Sequence, residues 1–212
     1  RSLGFIYFIA FCVAYTQNEF LIGEKGLTPA TLIFSNKRKD DIFSSLTVSD
    51  IISNITSLPT FFWFVSPTSF NLNLIAIIGM TLSSIIIILG SSNMFIMLIL
   101  WILYTSIVNI GQTWYSFGWE SQLLETGFLA IFLVPFFDLS QFPSHTPPPL
   151  TCVWGYRWLV VRIMLGAGLI KIRGDTCWRD LTCMNYHYLT QPIPNPLSHL
   201  FHSTPGIIHT LE

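Results

Sequence analysis

The chain holds 212 residues, of which 51% are hydrophobic, 15% aromatic and 10% charged, and its formal net charge is −1. Soluble domains carry about a quarter charged residues, so this composition excludes an ordinary water-facing surface. Lys37, Arg38 and Lys39 form the one basic cluster; they read as a solvated loop, and nucleic acid is excluded as a partner.

Lipid is therefore the expected solvent, and crossing its hydrocarbon takes about 20 mostly apolar residues in a helix. Residues 3–15 form the first apolar run. The chain opens on Arg1 inside that run and stops abruptly at Glu212, so both termini read as truncated. A long connection follows, taken here as an interfacial loop over residues 17–70. Within it Ile51, Ile52, Ile55 and Leu58 recur at helical spacing after Ser49 and Asp50, which can cap a helix start. Pro59 then leads into Phe61, Phe62, Trp63 and Phe64. The pattern predicts an amphipathic element with an aromatic anchor, lying either in the membrane interface or against the bundle.

The second span covers residues 72–89, is dense in Ile, and closes on Gly90, Ser91 and Ser92. So short a connection makes the third span, residues 93–110, its antiparallel neighbour. The fourth, residues 122–137, carries Glu125, with Glu120 just before it. Pro147, Pro148 and Pro149 make a stiff spacer ahead of the fifth span, residues 152–172, which contains Arg157, Arg162 and Lys171. The expected fold class is an all-α membrane protein: a bundle of about five transmembrane helices over residues 1–172, then an irregular Cys/Pro-rich segment over residues 173–212.

Ionisable groups in a membrane segment are costly unless paired or hydrated, which makes Glu120, Glu125, Arg157, Arg162 and Lys171 the intramembrane charges to explain. A hairpin of the fourth and fifth spans brings the acids to the arginines, as ion pairs that set helix register. A proton relay or transport path is the sharper alternative. Cys177 and Cys183 follow the fifth span and suit a local disulfide better than a zinc site with His187, because the spacing matches no compact zinc motif. Cys12 and Cys152 lie in or beside apolar spans and are read as free thiols. Alternating prolines at Pro192, Pro194 and Pro196 predict an extended stretch that cannot join a helix. No nucleophile elbow, Walker loop or dinucleotide fingerprint occurs, and neither a cofactor nor a metal is expected.

Orientation signals conflict. Asn54 heads the one glycosylation sequon, and with five spans and a cytosolic start it falls on the same luminal side as Cys177 and Cys183. Lys25, Lys37, Arg38 and Lys39 fall on that side too, against the positive-inside rule.

Two long blocks carry a family resemblance. The stretch GQTWYSFGWESQLLETGF at residues 111–128, and WLVVRIMLGAGLIKIRGDTCWRDLTC at 158–183 with MNYHYLTQPIPNPLSHL after it, resemble the lipase maturation factor family. Residues 17–29 fit it as well, and residues 119–124 alone show a distant likeness to the membrane domain of vitamin K-dependent carboxylases. The resemblance implies a multi-pass membrane protein of the endoplasmic reticulum that helps secreted homodimeric lipases, such as lipoprotein lipase, reach active form. Its motif positions include Trp119, Glu120, Trp178, Arg179, Asp180, His187 and Tyr188, and it attaches no catalytic role to any of them. Trp178, Arg179, Asp180, His187, Tyr188 and the three prolines become candidates for client contact. The competing classes are a membrane enzyme using Glu120, Glu125, Lys171 and His187, which requires those groups to converge, and a transporter, which calls for paired broken helices.

Overall fold

The structure is a computed structural model that describes residues 1–38, 48–141, 147–190 and 195–211. Every regular element among the described residues is helical. The chain forms two compact units, Arg1–Tyr156 and Arg157–Glu212.

In the first unit, α1 (Ser2–Leu21) runs past the apolar stretch expected for it. Thr16 to Glu19 stay helical: the Asn18 side chain is fully buried, and the Asn18 backbone carbonyl accepts hydrogen bonds from the N–H groups of Ile22 and Gly23, both at 2.9 Å. α1 packs on α4 (Ser69–Leu89), where Gly79 leaves the room that the buried Phe11 ring occupies; a Cβ there would overlap it. Small residues at such points let helices approach closely. Thr68 caps the start of α4 by accepting a hydrogen bond from the Asn71 N–H, and Gly90 ends it in the left-handed conformation at φ 70°, which glycine adopts without a steric cost. Asn93 then caps α5 (Met94–Ile110) with a 2.9 Å bond from the Ile96 N–H. The expected α4–α5 hairpin is therefore present.

Between α1 and α4 lie α2 (Thr31–Arg38), α3 (Val48–Ser57) and a 3₁₀ turn (Phe61–Trp63). Lys37 and Arg38 end α2 instead of sitting in a loop, and Lys39 falls outside the described residues. The aromatic anchor is divided: Phe62 is fully buried, while Phe61 and Phe64 remain exposed. Phe34 meets Trp63 edge to face at 4.9 Å. The segment is latched to α5, since the Phe61 N–H donates to Ser106 Oγ at 2.9 Å and Asn109 Nδ2 to the Pro59 carbonyl at 2.6 Å.

A second 3₁₀ turn (Gln112–Tyr115) leads into α6 (Gly118–Leu133). This helix starts earlier than expected and stops before Pro135, because the residue preceding a proline is pushed out of the helical region; Val134 is extended. α7 (Leu150–Gly174) is the longest helix. Only α4 and α7, among the described residues, are both long and apolar enough to cross a membrane. α5 is apolar but has 17 residues and α6 has 16, about 26 and 24 Å of helix at roughly 1.5 Å per residue. Five full spans are thus not established by length and composition.

In the second unit, residues 173–211 are less irregular than expected. They form α8 (Thr176–Arg179), α9 (Met184–Thr190), α10 (Pro196–His202) and α11 (Gly206–Leu211). Pro196 opens α10, where its missing N–H costs nothing, and Asn195 with Ser198 closes a reciprocal cap. Pro192 and Pro194, and with them the expected extended stretch, lie outside the described residues.

Candidate functional site

The polar interior of the first unit lies where α1, α5 and α6 meet. Tyr115 is held there by its 3₁₀ turn, which Gln112 enters at a positive φ of 52°. Its hydroxyl donates a 2.6 Å hydrogen bond to Asn18 Oδ1 across 97 positions of chain. Burial pushes the Tyr115 hydroxyl above its ordinary pKa, with the nearby Glu120 acting in the same direction, so it remains a donor. Asn18 Nδ2, Tyr7 Oη and Thr105 Oγ1 are buried with no hydrogen-bond partner.

Glu120 stands beside this group. It occupies the first turn of α6, where a negative side chain complements the helix dipole, and is 8% exposed. Its Oε2 is buried without a partner. Glu120 also lines a groove of about 380 Å³, whose walls include Tyr104, Tyr115, Trp119 and Leu123 on one side and apolar residues of α1 on the other. Phe117 and Trp119 stack at 4.7 Å just above α6's first turn. Glu125, five residues on, is exposed, because five residues turn the helix by about 140° beyond a full circle. The two carboxyls therefore share no face. Arg157, Arg162 and Lys171 are likewise exposed, so Glu120 is the one member of the predicted charge set that the fold buries.

The second unit arranges the residues proposed for client contact. Cys177 and Cys183 are disulfide-bonded with their Cα atoms 4.8 Å apart. Asp175 caps α8, its carboxylate accepting from the Cys177 N–H at 3.2 Å. Lys171 Nζ lies 4.5 Å over the Trp178 ring, and His187 meets that ring at 6.1 Å. Arg179 Nε donates to the Ile172 carbonyl at 2.9 Å, which ties the disulfide loop to the end of α7. Tyr188 stacks on Phe201 at 6.0 Å and lies beside His209. His209 is buried, with Nδ1 2.9 Å from Asn185 Oδ1 and Nε2 3.0 Å from the Phe201 carbonyl. Arg179 and Tyr188 are thus structural as well as candidate contacts, while Asp180 is exposed.

Sequence reasoning missed the Tyr7, Asn18, Tyr104 and Tyr115 neighbourhood of Glu120. It also missed the exposed apolar side chains Tyr186, Leu189, Leu200 and Ile207 on the short helices. Asn54 is half-buried within α3, and the Thr56 hydroxyl of its sequon donates to the Ile52 and Ser53 carbonyls at 2.8 and 2.9 Å. Cys12 and Cys152 are free thiols, as read from their apolar surroundings. No group of three metal-ligating side chains occurs among the described residues.

The family model of the lipase maturation factor transmembrane domain matches residues 1–212. The chain belongs to the lipase maturation factor family. It is 52% identical to lipase maturation factor 1 of Mus musculus and 51% identical to that of Homo sapiens, each across the whole chain. Identity to lipase maturation factor 2 of Mus musculus is 31%, again across the whole chain. The chain spans about a third of the length of these relatives, 36% and 37% of the first two. No solved structure matches the chain. Membership of a lipase maturation factor transmembrane domain family agrees with the long apolar helices α4 and α7.

Proposed function

We propose that this chain is the membrane region of an endoplasmic reticulum factor that helps secreted lipases mature, with homodimeric lipases such as lipoprotein lipase as clients. The observation that carries the reading is the match of the whole chain to the lipase maturation factor domain, at about half identity to relatives bearing that name. In this reading α1 and α4 to α7 cross the membrane, and the region from Arg173 onward faces the lumen. Glu125, Arg157 and Arg162 fix the helices, and Asn54 lies on the luminal side. Clients meet the surface formed by Trp178, Asp180, His187 and Pro196 together with the exposed apolar residues of α9 to α11. Pro192 and Pro194, outside the described residues, are proposed as further client contacts. A client-binding surface needs no catalytic constellation, which fits two carboxyls placed on different faces of α6.

Deleting the protein from a lipase-secreting cell should abolish secretion of active lipase while lipase message stays constant. Re-expression of the protein restores secretion, and Leu189→Asp with Leu200→Asp restores it only in part. Undiminished secretion of active lipase from the deleted cells overturns the reading.

A further inference from the structure

The groove at Glu120 is the built feature that lipase maturation leaves unused. Along the groove, while Gly4, Tyr7, Phe11 and Ala14 of α1 are buried, Phe5, Ile6, Ile9 and Val13 of the same helix stay 42–56% exposed. They cover nine residues of helix, about 12 Å at roughly 1.5 Å rise each. The Glu120 carboxyl lines the same groove, 92% buried, with its Oε2 lacking any hydrogen-bond partner. Lys, Arg and His do not line the groove, so its one charged group is acidic.

One oxygen of the Glu120 carboxyl, held out of water with no donor on it, is costly, and a donor entering the groove would satisfy it. An anionic head is repelled and a methyl-capped chain leaves the charge unpaired. A protonated amine satisfies it, and the aromatic residues Tyr104 and Trp119 line the same groove. We propose that this groove binds a single-chain lipid with a protonated amine head, the ammonium on Glu120 and the alkyl chain along α1. The volume of about 380 Å³ lies near the lower end of small-molecule sites, about 300–1,000 Å³, which is room for one chain.

The test compares dodecylamine, dodecanol and dodecanoate on the purified full chain in detergent, with binding followed by native mass spectrometry. Dodecylamine should bind at least about tenfold more tightly than the other two. Glu120→Gln should reduce it to the level of dodecanol, and Ile9→Trp, introduced from the exposed face, should weaken all three. Equal binding of the three probes overturns the proposal, as does an amine preference that survives Glu120→Gln. If Glu120→Gln does not fold, the Ile9→Trp chain decides: undiminished amine binding there rejects the site. A cross-linker at Val13→Cys that captures a second copy, or another helix of the protein, places a protein segment in the groove and also rejects it.

Discussion

At the scale of single residues, the first unit is organised by a few polar atoms that an apolar bundle has to accommodate. The Tyr115 to Asn18 hydrogen bond joins the entry of α6 to the last turns of α1, with both side chains buried. Tyr115→Phe removes the donor and leaves Asn18 Oδ1 facing carbon, a loss of about 1–3 kcal/mol. Asn18→Ala should cost a similar amount, and the double variant less than the sum, because both lose one interaction. Thermal unfolding in detergent reads these three values, and strict additivity shows the bond to be worthless. Gly79 makes a second point of precision. Gly79→Val drives two methyl groups into the Phe11 ring, at about 1–3 kcal/mol, and Phe11→Ala on the same chain should recover part of that loss. No recovery would mean that the notch matters for something other than the ring.

At the scale of elements, α7 is far more open to its surroundings than α4: 6% of its apolar window is buried, against 33%. Water cannot cover Leu165, Ile170 and Met164 at their exposure without a large penalty, so lipid or protein must. Leu165→Arg should lower insertion of α7 by about 2.5–3.5 kcal/mol in a reporter of membrane integration, whereas Leu165→Phe leaves it unchanged. Equal insertion of both variants would show that α7 does not sit in hydrocarbon. The helices themselves were largely legible in the sequence, because apolar runs, the capping residues Thr68 and Asn93, and Gly90 each act locally. Their ends were less so. α1 continues through Gln17, Asn18 and Glu19, where a tyrosine 97 positions away pairs with Asn18, and no local pattern signals that bond. The same limit applies to Glu120. Its charge was conspicuous, but its neighbours Tyr104 on α5 and the apolar residues of α1 are set by tertiary packing, which no local pattern signals. Cys177 and Cys183 were readable because six residues of spacing already keep them close.

For the whole molecule, the proposed reading fixes which way it faces. The proposed crossings put Asn54 and the Cys177–Cys183 pair on one side, so the two make a joint prediction. A glycosidase-sensitive mobility shift should be lost in Asn54→Gln, and a maleimide applied to the lumen of intact vesicles should label Cys177 and Cys183 only after reduction. Labelling from the cytosolic side would reverse the proposed orientation. Helical engagement of the Thr56 hydroxyl means that any glycan is added before α3 closes.

The turn between α4 and α5 bears on how such a chain reaches its membrane. Residues 90–93 carry no charged side chain, and both of their helix ends are closed within the turn, by Gly90 on one side and Asn93 on the other. With no charge among them, the cost of carrying these residues through hydrocarbon is confined to a few polar side chains and backbone groups. A connection of this kind suits two helices that pair as a hairpin, and Gly79 of the first then gives α1 its place of close approach.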